Sequence, residues 1–127
     1  MKEFFVRSEA MLGKEKMERI RSAHVLVFGL GGVGGHAAET LCRGGIGTLT
    51  LIDSECYELS NCNRQIFATQ DTIGKTKTEA AKARLKTINP DCNIQCFSFF
   101  YGKDPTPINL FDNVDYILDA IDTVSAK

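Results

Sequence analysis

The sequence predicts an α/β fold: a parallel sheet of about four strands with flanking helices, preceded by an amino-terminal helix. Two observations predict it. The apolar, β-branched run Val25-Leu26-Val27-Phe28 passes directly into Gly29-Leu30-Gly31-Gly32-Val33-Gly34 and an apolar stretch ending near Leu41. That is a buried strand turning tightly into a helix. A second apolar run at 48–52 ends on Asp53, so strand, helix and strand follow within about thirty residues and pair in parallel through a right-handed crossover. This unit is Rossmann-like.

With 127 residues the chain has the length of one domain and can bury a core. Residues 1–22 form a helical segment and residues 23–127 a nucleotide-binding domain. The formal net charge of −1 carries no global signature of nucleic acid or membrane binding. The five cysteines, Cys42, Cys56, Cys62, Cys92 and Cys96, are odd in number and contain no C-x-x-C pair. They are expected as free packing thiols in a cytoplasmic protein rather than as zinc ligands. No targeting segment or membrane span is read.

In order, residues 8–22 are polar with Met17 and Ile20 three apart, which suits a helix lying on a neighbouring surface. Residues 23–28 form the first strand and 32–43 the first helix of the domain, ended by Gly44-Gly45-Ile46-Gly47. Residues 48–52 form the second strand. A long polar loop follows at 54–71, where a dehydrogenase would have a short connection. A helix from about Lys75 to Asn89 presents Ala81, Leu85 and Ile88 on one face, and Pro90 closes it. Residues 93–100 form a third strand, 108–112 one helical turn and 114–118 a fourth strand. Four strands leave little to cover the far side of the sheet, so the chain is read as the amino-terminal part of a longer protein.

The chemistry gathers at the carboxyl ends of these strands. Glycines 29, 31, 32 and 34 free backbone N–H groups at a helix start to approach an anion. Asp53 stands where a carboxylate accepts ribose hydroxyls. Arg64, in the long loop, carries a fork of donors suited to phosphate oxygens. Lys75 and Lys77 fall in a first helical turn, where a cation opposes the helix dipole unless an anion is held there. Asp119 and Asp122 follow the fourth strand, and paired carboxylates near phosphates suggest magnesium.

The set Gly29-Leu-Gly-Gly-Val-Gly34, Leu51-Ile-Asp53, Asn61-Cys-Asn-Arg64-Gln65, Gly74-Lys-Thr-Lys77, Ile88-Asn-Pro90 and Asp119-Ala-Ile-Asp122 resembles the ThiF/MoeB/HesA family of ubiquitin-activating-type adenylating enzymes. The resemblance spans nearly the whole chain but only the amino-terminal, nucleotide-binding half of a typical member. The stretches from Arg7, from Asn63 and from Asp119 most resemble its tRNA threonylcarbamoyladenosine dehydratase branch. At the loop, Cys62 and Asn63 depart from the Leu-Gln of the sulfur-carrier activators.

The resemblance implies that Gly32 lends its backbone to ATP, Asp53 holds the ribose, and Asn61, Arg64 and Lys77 surround the triphosphate. It places Mg2+ on Asp122 and makes Arg7 a catalytic residue that reaches into the partner subunit of a homodimer. The implied reaction is attack of a carboxylate on the α-phosphorus of ATP. The substrate is threonylcarbamoyladenosine in tRNA or, alternatively, the C-terminal glycine of a ubiquitin-like sulfur-carrier protein served by a cysteine desulfurase system. An NAD-dependent oxidoreductase shares the glycines and Asp53 but gives Arg64 and Lys77 no task. The 127 residues alone are expected to bind nucleotide without turnover.

Overall fold

The computed structural model of the chain describes residues 2–121. Strands β1 (His24–Phe28), β2 (Thr48–Ile52), β3 (Asn93–Phe97) and β4 (Tyr116–Asp119) form one sheet in the order β3-β2-β1-β4. Every pairing is parallel, with Val27 opposite Leu51 and Leu118, and Leu51 opposite Cys96. The chain steps from β1 to β2 and β3 on one side, then returns to place β4 on the other. Strand order therefore reverses between β1 and β4, and a crevice opens at their carboxyl ends.

The helices are α1 (Val6–Leu12), α2 (Lys14–Ser22), α3 (Gly32–Gly44) and α4 (Lys77–Ile88), with a short 3-10 turn at Lys2–Phe5. The single amino-terminal helix expected at 8–22 is thus two helices. Gly13 divides them, because its φ of +88° lies outside any right-handed helix. Met17 is buried, Phe5 packs against Gly45, and the Gly47 N–H donates to the Ile20 carbonyl at 3.3 Å. The helix pair therefore closes the amino-terminal end of the sheet.

Helix α4 begins two residues later than its lysines suggested. Thr76 is its N-cap and accepts from the Glu79 N–H at 3.3 Å, which leaves Lys75 outside and Lys77 as the first helical residue. Alternation along β1 divides the core. Val25 and Val27 join Leu49, Leu51 and Ile94 under α3 and α4, through Ala38, Cys42, Ala80, Ala81 and Leu85. Leu26, Phe28 and Ile52 face the other way.

That second face has a cover, contrary to expectation. The connection from β3 to β4 folds over it with Leu110 buried and Phe99, Tyr101 and Val114 packed alongside; the Phe28 and Tyr101 rings lie 4.7 Å apart. Residues 108–112 form successive turns instead of the expected helical turn. Their bonds, such as Leu110 N–H to Pro107 O at 3.2 Å and Asp112 N–H to Asn109 O at 3.3 Å, span three residues each. All five thiols are free: Cys42 and Cys92 are buried and Cys56 is exposed. Among the described residues no helix is long and apolar enough to cross a membrane.

Candidate functional site

The crevice at the strand reversal is a cavity of about 330 Å³. Its lining combines apolar side chains, among them Phe28, Ile52, Phe99 and Tyr101, with polar ones, among them Asp53, Asn61, Arg64 and Lys77. A flat apolar group, a polyol and an anion could each find a complementary surface there.

The four glycines divide by what they do. Gly29 has φ +91°, and a Cβ on it would lie 2.6 Å from the Ala120 carbonyl oxygen. A Cβ on Gly34 would lie 1.6 Å from the Gly29 carbonyl oxygen. These two are demanded by the tight turn and by the packing of α3 against it. Gly31 and Gly32 are different: a Cβ would come no closer than 3.7 Å to Gln65 and 3.9 Å to Arg64, respectively. Among the described residues, packing does not require glycine at either position. Their bare backbone leaves room beside the N-terminus of α3, where N–H groups favour an anion.

Asp53, expected to hold a ribose, makes contacts within the chain itself. Its Oδ2 accepts from the Leu30 N–H at 2.8 Å, and its Oδ1 accepts from the Glu55 N–H at 2.8 Å. Each oxygen keeps acceptor capacity for a further donor. The carboxylate therefore ties the glycine loop to the end of β2 while lining the cavity.

The long polar loop is pinned at its base. The Lys77 N–H donates to the Glu55 carbonyl at 2.9 Å, the Tyr57 N–H to the Lys75 carbonyl at 3.0 Å, and the Gly74 N–H to the Tyr57 carbonyl at 2.9 Å. Tyr57 points inward, where its hydroxyl donates to the Leu30 carbonyl at 3.0 Å. Burial, reinforced by the negative charge of Asp53, pushes the phenol far above its ordinary pKa, so it stays a donor.

Within the loop, the Asn61 side-chain oxygen accepts from the Glu58 N–H at 2.8 Å, which leaves its NH₂ for the cavity that it lines. Arg64 Nη1 donates to Ser60 O at 3.2 Å and to Asn63 Oδ1 at 2.9 Å. The guanidinium is held by its own loop and retains other donors. Lys77 is only 5% exposed. Its Nζ lies 3.7 Å from Glu55 Oε1 and 5.3 Å from the centroid of the Tyr57 ring. A buried ammonium needs such partners.

Gly29, Gly31, Asp53, Asn61, Arg64 and Lys77 thus meet at one cavity, with Gly32 and Gly34 in the adjoining first turn of α3. Arg7 does not join them within one protomer. It is exposed on α1, beside the amino-terminal end of the sheet. Asp119 turns back on its own chain, accepting from the Ile121 N–H at 3.0 Å. The magnesium ligand expected at Asp122 lies outside the described residues.

Sequence reasoning missed Glu55, Tyr57 and Gln65. Gln65 is 7% exposed, lines the cavity beside Gly31, and has a buried side-chain oxygen with no hydrogen-bond partner among the described residues. Tyr57 did leave a signal, as a large aromatic in the mostly polar stretch 54–65 of the loop. Among the described residues no group of three or more His, Cys, Asp or Glu side chains is placed to hold a metal ion.

The ThiF family model matches residues 6–127. The chain is 40% identical over 124 residues to the tRNA threonylcarbamoyladenosine dehydratase of Bacillus subtilis, covering 97% of this chain and 48% of that protein. It is 36% identical over 115 residues to an adenylyltransferase and sulfurtransferase of Drosophila willistoni, covering 91% of this chain and 25% of that protein. The crystal structure of the Escherichia coli tRNA threonylcarbamoyladenosine dehydratase in complex with ATP matches with a TM-score of 0.88 and 37% identity, covering 97% of this chain and 51% of that one. The chain spans about half the length of the dehydratases it matches.

Proposed function

The chain belongs to the ThiF family, and on that premise we propose that the whole protein uses ATP to adenylate a substrate carboxylate, that of threonylcarbamoyladenosine in tRNA. One observation carries the reading most directly. Arg64, from the long loop, and Lys77, from the tip of α4, line the same cavity as Gly31 and Asp53. Hydride transfer to a nicotinamide needs no pair of cations there, whereas charge developing on phosphate oxygens does.

In this reading the carboxylate oxygen attacks the α-phosphorus and pyrophosphate leaves, giving an acyl-adenylate. The neighbouring carbamoyl group then attacks the activated carboxyl carbon and AMP leaves, so the ring closes with net loss of water. Arg64 and Lys77 neutralise phosphate charge, Asn61 and the Gly31–Gly32 backbone orient the phosphates, and Asp53 accepts from the ribose.

Magnesium fits this arrangement as a companion of the nucleotide. It binds through one or two carboxylates plus phosphate oxygens, so the lack of a built cage among the described residues does not oppose it. Asp53 supplies a carboxylate at the cavity, and we assign the direct ligand to Asp122. The ion would add positive charge at the phosphates. A homodimer gives Arg7, placed away from its own cavity, a site to serve in the partner, and tRNA as substrate places the reaction in the cytoplasm.

The test is ATP–pyrophosphate exchange by the full-length protein. Exchange that depends on tRNA carrying threonylcarbamoyladenosine is expected. Exchange driven instead by a small carrier protein ending in glycine would move the assignment to the sulfur-carrier activators, and no exchange with either would overturn adenylation.

A further inference from the structure

We propose that Tyr57 is a positioning residue for nucleotide binding, holding the glycine loop through its hydroxyl and Lys77 through its ring. The inference rests on the nucleotide reading above. Leu30 sits at the apex of the loop and is held from both sides: its N–H donates to Asp53 Oδ2 at 2.8 Å, and its carbonyl accepts from Tyr57 Oη at 3.0 Å.

A trans peptide plane carries its C=O and its N–H on opposite sides. Fixing the Leu30 carbonyl on the Tyr57 side therefore turns the Gly31 N–H away from Tyr57, towards the cavity that Gly31 lines. The phenol sets the direction of a backbone donor without touching the ligand itself. The same ring lies under the Lys77 ammonium, 5.3 Å from centroid to Nζ. Its negative face attracts the ammonium and helps to hold it in place beside Glu55. One buried side chain thereby couples the backbone donor and the side-chain cation that approach the phosphates from different elements.

Two variants separate the two functions. Tyr57→Phe keeps the ring and loses the bond to Leu30; Tyr57→Leu loses both. Kd values for ATP and for adenosine, with the melting temperature, would be measured on the full-length protein. We expect Tyr57→Phe to weaken ATP binding by about threefold to tenfold, as loss of one hydrogen bond does. Tyr57→Leu should lose a further factor of about three or more for ATP but not for adenosine, because Lys77 meets only the phosphates.

A merely structural role would lower the melting temperature and weaken both ligands alike. Tyr57→Phe binding ATP as tightly as the wild type would overturn the proposal while leaving nucleotide binding intact, and this variant decides the matter even if Tyr57→Leu fails to fold. A wild-type chain that binds no ATP would overturn the underlying reading and this inference together.

Discussion

Lys77 Nζ lies 3.7 Å from Glu55 Oε1, yet the lysine side chain is 6% exposed and the glutamate 72%. The pair is lopsided: the cation is fixed in the wall of the cavity, and the anion is free to swing into water. If Lys77 meets the nucleotide phosphates as proposed, Glu55 would compete with them for the ammonium. Replacing it with Gln should therefore strengthen ATP binding by about twofold to fivefold, the gain of removing a partly screened competitor. Titration of ATP into Glu55→Gln checks this, and weaker binding would mean that Glu55 aids the nucleotide.

Removing the cations themselves should cost far more. In the full-length protein, Arg64→Ala and Lys77→Met should each lower kcat by about 10²–10³, as loss of a transition-state donor does. Methionine preserves most of the buried stem of Lys77, which separates charge from packing. Losses under tenfold, measured by pyrophosphate exchange, would argue against either role.

The glycines should part company on substitution. Gly34→Ala places a methyl against the Gly29 carbonyl, 1.6 Å away without movement, and should destabilise the chain severely. Among the described residues Gly32→Ala meets nothing closer than 3.9 Å, and it should fold with nearly the wild-type melting temperature while weakening ATP binding. Thermal melts paired with ATP titrations separate the outcomes. Equal unfolding of both variants would make packing the whole reason for the motif.

Asp53→Ala should impair both folding and binding. The sequence suggested a ribose contact alone, but the carboxylate also receives the Leu30 and Glu55 amides. Its loss should cost about 1–3 kcal/mol of stability, from donors left without a partner. Denaturant melts measure it. Asp53→Asn, which retains an acceptor, should recover part of the stability.

What could be read from the sequence was what short-range pattern controls. The strands at 48–52 and 24–28 follow from compact apolar runs, and the start of α3 from glycines that end one element and begin another. The break at Gly13 was not legible, because a lone glycine in a helical pattern is often tolerated and only its positive φ reveals the stop. The cavity residues were found where a residue type announces its chemistry, as with Arg64. Tyr57 escaped because its contact with Leu30 spans 27 positions in the chain. Lys77 was noticed as a cation in the wrong part of a helix, whereas the ring beneath it depends on how the loop folds back.

The hydrogen bonds that clasp Glu55 to Lys77 and Tyr57 to Gly74 and Lys75 give the intervening stretch a fixed doorway. A segment whose two ends are fastened together can gain or lose residues in its middle at modest entropic cost. Evolution can thus lengthen, shorten or re-letter the part around Arg64 to suit a new acceptor without re-aiming the lysine or disturbing the strand ends. A single scaffold could in this way be retuned to carboxylates as different as a modified nucleoside and a protein tail.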